Sequence, residues 1–256
     1  AYKEAQKYGA IHLAATTKDE NFTRIPRQEE LDLRPDADYV HICFNNTIFG
    51  TKWNYIPDTK GVPLVADMSS CILSEPVDVS KFGLIYAGAQ KNVAPAGLTI
   101  VIAREDLLRE DLPDYVPTMC NYATMAANES MYNTPPCYPI YICLLVLNWI
   151  KELGGLEAMK KINENKAAML YKCLEESKLF SNPNDLASRS MMNVTFRAED
   201  DEINAKFVKE STAAGFSNLK GHRSVGGMRA SIYNAMPTEG VEALCEFIKK
   251  FESENL

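Results

Sequence analysis

The sequence predicts an α/β protein with a mixed, mostly parallel sheet and a smaller C-terminal α+β unit, and three observations predict it. Short apolar runs recur early in the chain, at 39–44, 63–66, 84–87 and 98–103, and none alternates strictly between apolar and polar. Such runs suit strands buried on both faces of a sheet covered by helices. From about residue 138 a helical spacing of apolar residues takes over. Beyond residue 190, two β-rich stretches are interleaved with two amphipathic helical patterns.

Taken in order, a helical pattern covers residues 2–8 and the four strand-like runs follow. The Pro135-Pro136 pair then precedes a helix over 138–153, since proline is accepted at the first turn but not inside a helix. Gly154-Gly155 stops it. A second helix over 156–176 places Leu156, Met159, Ile162, Met169, Leu170 and Cys173 on one stripe, and the Asn182-Pro183-Asn184 turn closes this stretch. A strand at 193–197, a helix at 202–213 and a strand at 227–233 come next. The last helix starts near Pro237, where proline is tolerated, and presents Val241, Leu244, Phe247, Ile248 and Phe251 on one face. The division therefore falls near residue 153, giving residues 1–153 as the larger unit and 154–256 as the smaller.

Composition narrows the partners. The chain has 256 residues, 46% of them hydrophobic and 24% charged, as in ordinary globular enzymes. A net charge of −7 argues against nucleic acid or an anionic membrane as the main partner, because both reward a basic surface. The longest apolar run, 140–150, is interrupted by Asn148, is too short to span a bilayer and reads as a buried helix. No secretory signal is visible. Seven cysteines are scattered without CxxC pairing and odd in number, which points to free thiols in a reducing cytoplasm. The three histidines are too few and too dispersed to complete a zinc site with them, so no metal is expected.

The chemistry concentrates around Lys91, set among Ala87, Gly88, Ala89, Ala94, Ala96 and Gly97 after one apolar run, with Asp67 at the end of another. A lysine amine that can bond an aldehyde, and a carboxylate that can pair with a pyridine nitrogen, are what pyridoxal phosphate chemistry requires. An ordinary lysine, with a pKa of about 10.4, is almost wholly protonated at neutral pH, so such a site must lower that pKa by burial or neighbouring positive charge. Taken alone, Lys91 reads first as a surface side chain of a Gly/Pro loop, and Asp67 as a turn or helix-cap aspartate beside Ser69 and Ser70. A second concentration is basic: Lys220, His222, Arg223 and Arg229, interleaved with Gly221, Gly226 and Gly227. Arginine suits a carboxylate bidentately, and Arg with His suits a phosphate. A solvated basic loop is the plain alternative. A P-loop is not, since GxxxxGGM lacks the Gly-Lys-Thr end.

Five stretches together resemble the phosphoserine aminotransferase family of class-V aminotransferases: CFNNTIFG at 43–50, VADMSSCILSEPVDVSKFG at 65–83, LIYAGAQKNVAPAGLT at 84–99, MYNTPP at 131–136 and LKGHRSVGGMRASIYNAMP at 219–237. One departure is Ala94, where the family usually has glycine. The resemblance implies a fold-type I pyridoxal phosphate transferase, with residues 1–153 as an incomplete cofactor-binding domain. It implies that Lys91 anchors the cofactor and Asp67 pairs with its ring nitrogen. By the same resemblance Thr47 bonds the 3′ oxygen, Gln90 the phosphate, and Asn133 and Thr134 the phosphate of a neighbouring subunit, so that the active sites are shared in a homodimer. Arg229 is implied to take the substrate α-carboxylate, and His222 and Arg223 its phosphate across the dimer. The activity implied is transamination of O-phospho-L-serine with 2-oxoglutarate. The alternatives are another enzyme of the fold, such as an alanine:glyoxylate-type transaminase or a cysteine desulfurase, and a non-catalytic dimerisation module. The resemblance further implies that Ala1 falls inside the family's large domain, so that these residues alone are expected to bind cofactor weakly.

Overall fold

The structure, a computed structural model, describes residues 1–256. Its strands are β1 (Val40–Cys43), β2 (Asn45–Asn46), β3 (Thr51–Lys52), β4 (Leu64–Asp67), β5 (Leu84–Gly88), β6 (Thr99–Ala103), β7 (Asn193–Phe196) and β8 (Met228–Ser231). The helices are α1 (Tyr2–Ala5), α2 (Tyr122–Ala127), α3 (Cys137–Glu152), α4 (Gly155–Glu176), α5 (Asp201–Ala213) and α6 (Thr238–Asn255). Four strands form one sheet in the order β1-β4-β5-β6. The first three run parallel and β6 is antiparallel to β5, which is the mixed, mostly parallel sheet expected.

Parallel pairing puts the C-terminal ends of β1, β4 and β5 on one rim, and in an open α/β sheet that rim is where ligands bind. Asp67 is the last residue of β4 and lies in register between Cys43 and Tyr86. On one face of the sheet, Leu64, Ala66, Ile85 and Ala87 are buried with Phe44, Phe82, Val93 and Trp53. The other face is only half covered, and β6, at one edge of the sheet, is largely exposed. The expectation of strands buried on both faces is therefore corrected.

A second apolar core lies in the C-terminal part, where α4 and α6 pack together over the antiparallel β7–β8 pair. Its centre is aromatic: Phe207 sits 4.9 Å from Phe180 and 5.1 Å from Phe251, ring centre to ring centre. Asp200 caps α5 by accepting from the Glu202 amide, and Pro237 stands at the N-cap of α6. Gly154 and Gly155, at φ 104° and 79°, turn the chain between α3 and α4, a conformation that glycine adopts without steric penalty.

Two further expectations are corrected. The helix over 2–8 ends at Ala5, because none of its side chains is buried and it has no packing to extend it. The apolar α3 is not a buried helix: only Ile150 is buried, while Tyr138 is 66% and Leu144 53% exposed. Its composition is that of a covered helix, and within this chain most of its surface meets solvent. No single helix is long and apolar enough to cross a membrane.

Candidate active site

Three chain segments leave the sheet rim side by side. After β1 the chain makes the β2–β3 hairpin, whose turn carries Thr47. The Asn46 carboxamide oxygen accepts from the Ile48 and Phe49 amides and shapes that turn. Gly50 closes it at φ 72°, where a Cβ would stand 2.7 Å from the Asn193 carbonyl oxygen, so only glycine fits. After β5, the loop following Gly88 brings Lys91 back over the rim, and its Nζ donates to Thr47 Oγ1 at 2.9 Å. Burial lowers the Lys91 pKa; Asp67 works against the shift and Arg229 adds to it. The amine is thus biased toward its neutral, nucleophilic form.

Asp67 is held by its own turn, Oδ1 accepting from the Ser69 amide at 2.9 Å. The Ser69 hydroxyl in turn accepts from the Gly88 amide at 3.0 Å, tying the β4 exit to the β5 exit. Behind the carboxylate, His41 Nε2 and the Tyr86 hydroxyl are 3.0 Å apart. Burial, aided by the Asp67 charge, pushes the Tyr86 phenol up to about 12, and burial also lowers the His41 pKa. Both groups are therefore neutral around the carboxylate at ordinary pH. Sequence reasoning missed this pair. Its only signal was the strand period, which places Tyr86 opposite Asp67 once the register is known.

Arg229, on β8, reaches the same place from the C-terminal part of the chain, with Nη1 donating to the Thr47 carbonyl oxygen at 3.3 Å. Its Nε is buried without a partner. A buried, unpaired guanidinium nitrogen is costly, and an anion bound there would relieve that cost. Upstream, His222 Nδ1 lies 2.7 Å from the Ser224 hydroxyl in a tight turn, Arg223 is exposed, and Lys220 bridges back to Met228. Gly221 is forced, since a Cβ there would stand 2.0 Å from the Gly226 carbonyl oxygen. No hydrogen bond of His222 or Arg223 reaches Lys91 or Asp67. The structure thus joins Thr47, Lys91 and Arg229 by hydrogen bonds and sets Asp67 on the adjoining strand end, while the His-Arg loop stays outside that contact.

Three other expected site residues stand apart. Gln90 is exposed, with its carboxamide folded over Gly88. Asn133 and Thr134 are exposed before α3, and their only mutual bond is a long one, 3.4 Å from Asn133 Nδ2 to the Thr134 carbonyl oxygen.

The sequence profile described as aminotransferase class-V matches residues 1–244. The phosphoserine aminotransferase of Bacillus cereus is 53% identical over 255 residues, which is the whole of this chain and 71% of that protein. That of Desulfosudis oleivorans is 53% identical and is covered over 70% of its length. Among solved structures, the phosphoserine aminotransferase of Bacillus circulans subsp. alkalophilus superposes with a TM-score of 0.96 at 47% identity, covering 99% of this chain and 70% of that one. A pyridoxal phosphate-bound phosphoserine aminotransferase from Trichomonas vaginalis gives 0.92 at 37% identity, over 97% and 71% of the two chains.

Proposed function

The chain belongs to the class-V aminotransferases and, within them, to the phosphoserine aminotransferases; from that premise we propose how its residues divide the work of a pyridoxal phosphate-dependent step of serine biosynthesis. In that step an amino group passes from O-phospho-L-serine to 2-oxoglutarate, giving 3-phosphohydroxypyruvate and L-glutamate. The residues present fit the cofactor: a primary amine whose charge is disfavoured by burial, a hydroxyl 2.9 Å from it, and a carboxylate at the end of the adjoining strand. When bound, pyridoxal phosphate supplies an electrophilic aldehyde and a protonated ring that draws electrons from the substrate α-carbon.

Lys91 would hold the aldehyde through Nζ. The same Nζ would take up the substrate α-proton and later return it. Asp67 would stand against the ring nitrogen and keep its proton in place, with the Ser69 amide fixing the carboxylate. Thr47 would bond the 3′ oxygen, and Gln90, with Asn133 and Thr134 of a second subunit, the cofactor phosphate. Arg229 would bind the α-carboxylate, and His222 and Arg223 the substrate phosphate across a homodimer.

One observation carries the reading: Lys91 Nζ and Arg229 Nη1 both bond Thr47, at 2.9 Å to its hydroxyl and 3.3 Å to its carbonyl, and the Arg229 Nε beside them is unpaired. An amino acid needs an amine-exchanging group and a carboxylate-binding group near each other, and these two meet at one residue. The homodimer is supported by the exposed apolar side of α3, with Tyr138, Ile140, Tyr141 and Leu144 facing water, a surface of the kind that protein partners cover. The division near residue 153 and a cytoplasmic location belong to the same proposal. An alanine–glyoxylate aminotransferase from Nostoc superposes with a TM-score of 0.71 at 15% identity, which speaks for the fold alone.

The test is a direct one. With pyridoxal phosphate, phosphoserine and 2-oxoglutarate, glutamate formation should be observed and should exceed that with alanine as donor. Equal or faster use of alanine would overturn the substrate assignment.

A further inference from the structure

Asn234 lies three residues beyond β8, the strand that carries Arg229, and it is buried together with Asn92 and Asn163. Its main-chain N–H donates to Asn92 Oδ1 at 3.1 Å. Its Nδ2 donates to the Leu73 carbonyl at 2.9 Å, and its Oδ1 accepts from Asn163 Nδ2 at 2.9 Å. Asn92, next to Lys91, donates to the Ile72 carbonyl at 3.0 Å, and Asn163, on α4, also donates to the Ser74 carbonyl at 3.0 Å. Lys166, three residues along α4 from Asn163, holds the same stretch, with Nζ 2.9 Å from the Tyr233 carbonyl and 3.0 Å from that of Met236.

Four segments therefore meet at Asn234: the chain leaving Asp67, the loop holding Lys91, α4 and the exit of the strand holding Arg229. The two apolar cores lie on either side, and this junction between them is polar. Apolar packing tolerates sliding, whereas buried, directional hydrogen bonds fix one arrangement. We propose that Asn92 and Asn234 are positioning residues, a latch that sets the separation of Lys91 from Arg229 and so fits the site to an α-amino acid. This rests on the roles given above to Lys91 and Arg229. Misplacing two reacting groups by about 1 Å costs on the order of a hundredfold in rate, so a latch far from the chemistry has leverage.

Removing the Asn92 carboxamide frees Asn234 N–H and loosens the Lys91 loop. The charged and titratable groups facing Lys91 are Asp67, Cys43 and Cys71, which favour its charge, and Arg229, which opposes it. Movement of the loop toward solvent and away from Arg229 therefore raises the Lys91 pKa.

Asn92→Ala is compared with Phe207→Leu, a change in the aromatic core that touches neither the latch nor the site. In the cofactor-free protein, the pH dependence of Lys91 trinitrophenylation by trinitrobenzenesulfonate, in which the neutral amine displaces sulfite from the ring, read by peptide mass spectrometry, should move to higher pH for Asn92→Ala and stay in place for Phe207→Leu. In the loaded enzyme, KM for phosphoserine and for glutamate should rise together by about tenfold in Asn92→Ala, the loss expected for one buried hydrogen bond, while Phe207→Leu lowers only the melting temperature. If Asn92→Ala does not fold, Asn234→Ala, which keeps its main-chain bond to Asn92, should give both effects at smaller amplitude. A variant that folds with an unmoved trinitrophenylation profile and unchanged KM would overturn the latch. Cofactor trapping on a lysine other than Lys91 in the unaltered protein would instead overturn the role assignment, so the two failures are distinguishable.

Discussion

Lys166 on α4 offers a test in which the sign of the effect is unusual. It is 0% exposed, and its ammonium lies among main-chain carbonyls of residues 232–236 with no carboxylate beside it. Burial without a counter-ion lowers its pKa from 10.5 to about 8. Between those values the unfolded chain binds a proton that the folded chain does not, so stability rises with pH through that window. Below pH 8 both states carry the charge, and the folded one bears the full penalty. At about 1.36 kcal/mol per pKa unit, the penalty is about 3 kcal/mol. Lys166→Met removes both the charge and its donors. Near pH 7 the relief of the buried charge offsets the lost charged hydrogen bonds, about 1.5 to 3 kcal/mol, and the variant should match the parent within about 1.5 kcal/mol. Near pH 10 the parent holds a neutral amine that still donates, and it should be more stable than the variant by about 2 to 3 kcal/mol. Urea unfolding at pH 7, 8, 9 and 10 measures this, and taking the difference between the two proteins cancels the other titrating groups. A difference that stays constant across that range would refute the reasoning.

Other outcomes follow from the site and the core. Asp67→Asn should retain cofactor binding but slow α-proton abstraction by orders of magnitude, measured as loss of the α-deuterium of labelled substrate, because a carboxamide does not hold the ring proton in place; unchanged exchange would place that role elsewhere. Arg223→Ala should raise KM for phosphoserine by ten- to a hundredfold with little change for glutamate, the loss of a charge-assisted contact, whereas Arg229→Ala should raise both; equal losses for both substrates in the Arg223 variant would show that Arg223 does not read the phosphate. Phe207→Ala, in the centre of the aromatic core, should cost about 3 to 5 kcal/mol in urea unfolding with KM unchanged in the molecules that remain folded.

Much of the fold was legible because its signals are local. The strand runs at 39–44 and 84–87, the Gly154-Gly155 stop and the apolar face of α6 each depend on a few neighbouring residues, and each lies within a residue or two of the observed element. What escaped is long-range. The hairpin that presents Thr47 has strands of two residues, too short to carry a period, and its pairing is fixed by Gly50 fitting beneath Asn193. Lys166 and Asn163 are polar residues on the stripe of α4 that packs inward, and nothing in their spacing announces carbonyls waiting opposite. The apolar run at 140–150 placed α3 inside, because such a run reports an apolar surface and not whether this chain supplies its cover. Of the candidate site, Lys91 and Asp67 read from the residues alone as a loop lysine and a turn aspartate, and only the resemblance gave them and Arg229 their proposed roles; that Lys91 and Arg229 meet at Thr47 depends on contacts between residues 44 and 182 positions apart.

The central claim is that Lys91 is the amine that carries the cofactor. Incubation with pyridoxal phosphate, reduction with sodium borohydride, proteolysis and peptide mass spectrometry test it most directly. The account predicts a single pyridoxyl-bearing peptide containing Lys91, absent from Lys91→Ala, with the other lysines, including the buried Lys166, unlabelled. A reduced adduct that persists in Lys91→Ala, or that maps to a different lysine in the unaltered chain, would contradict it.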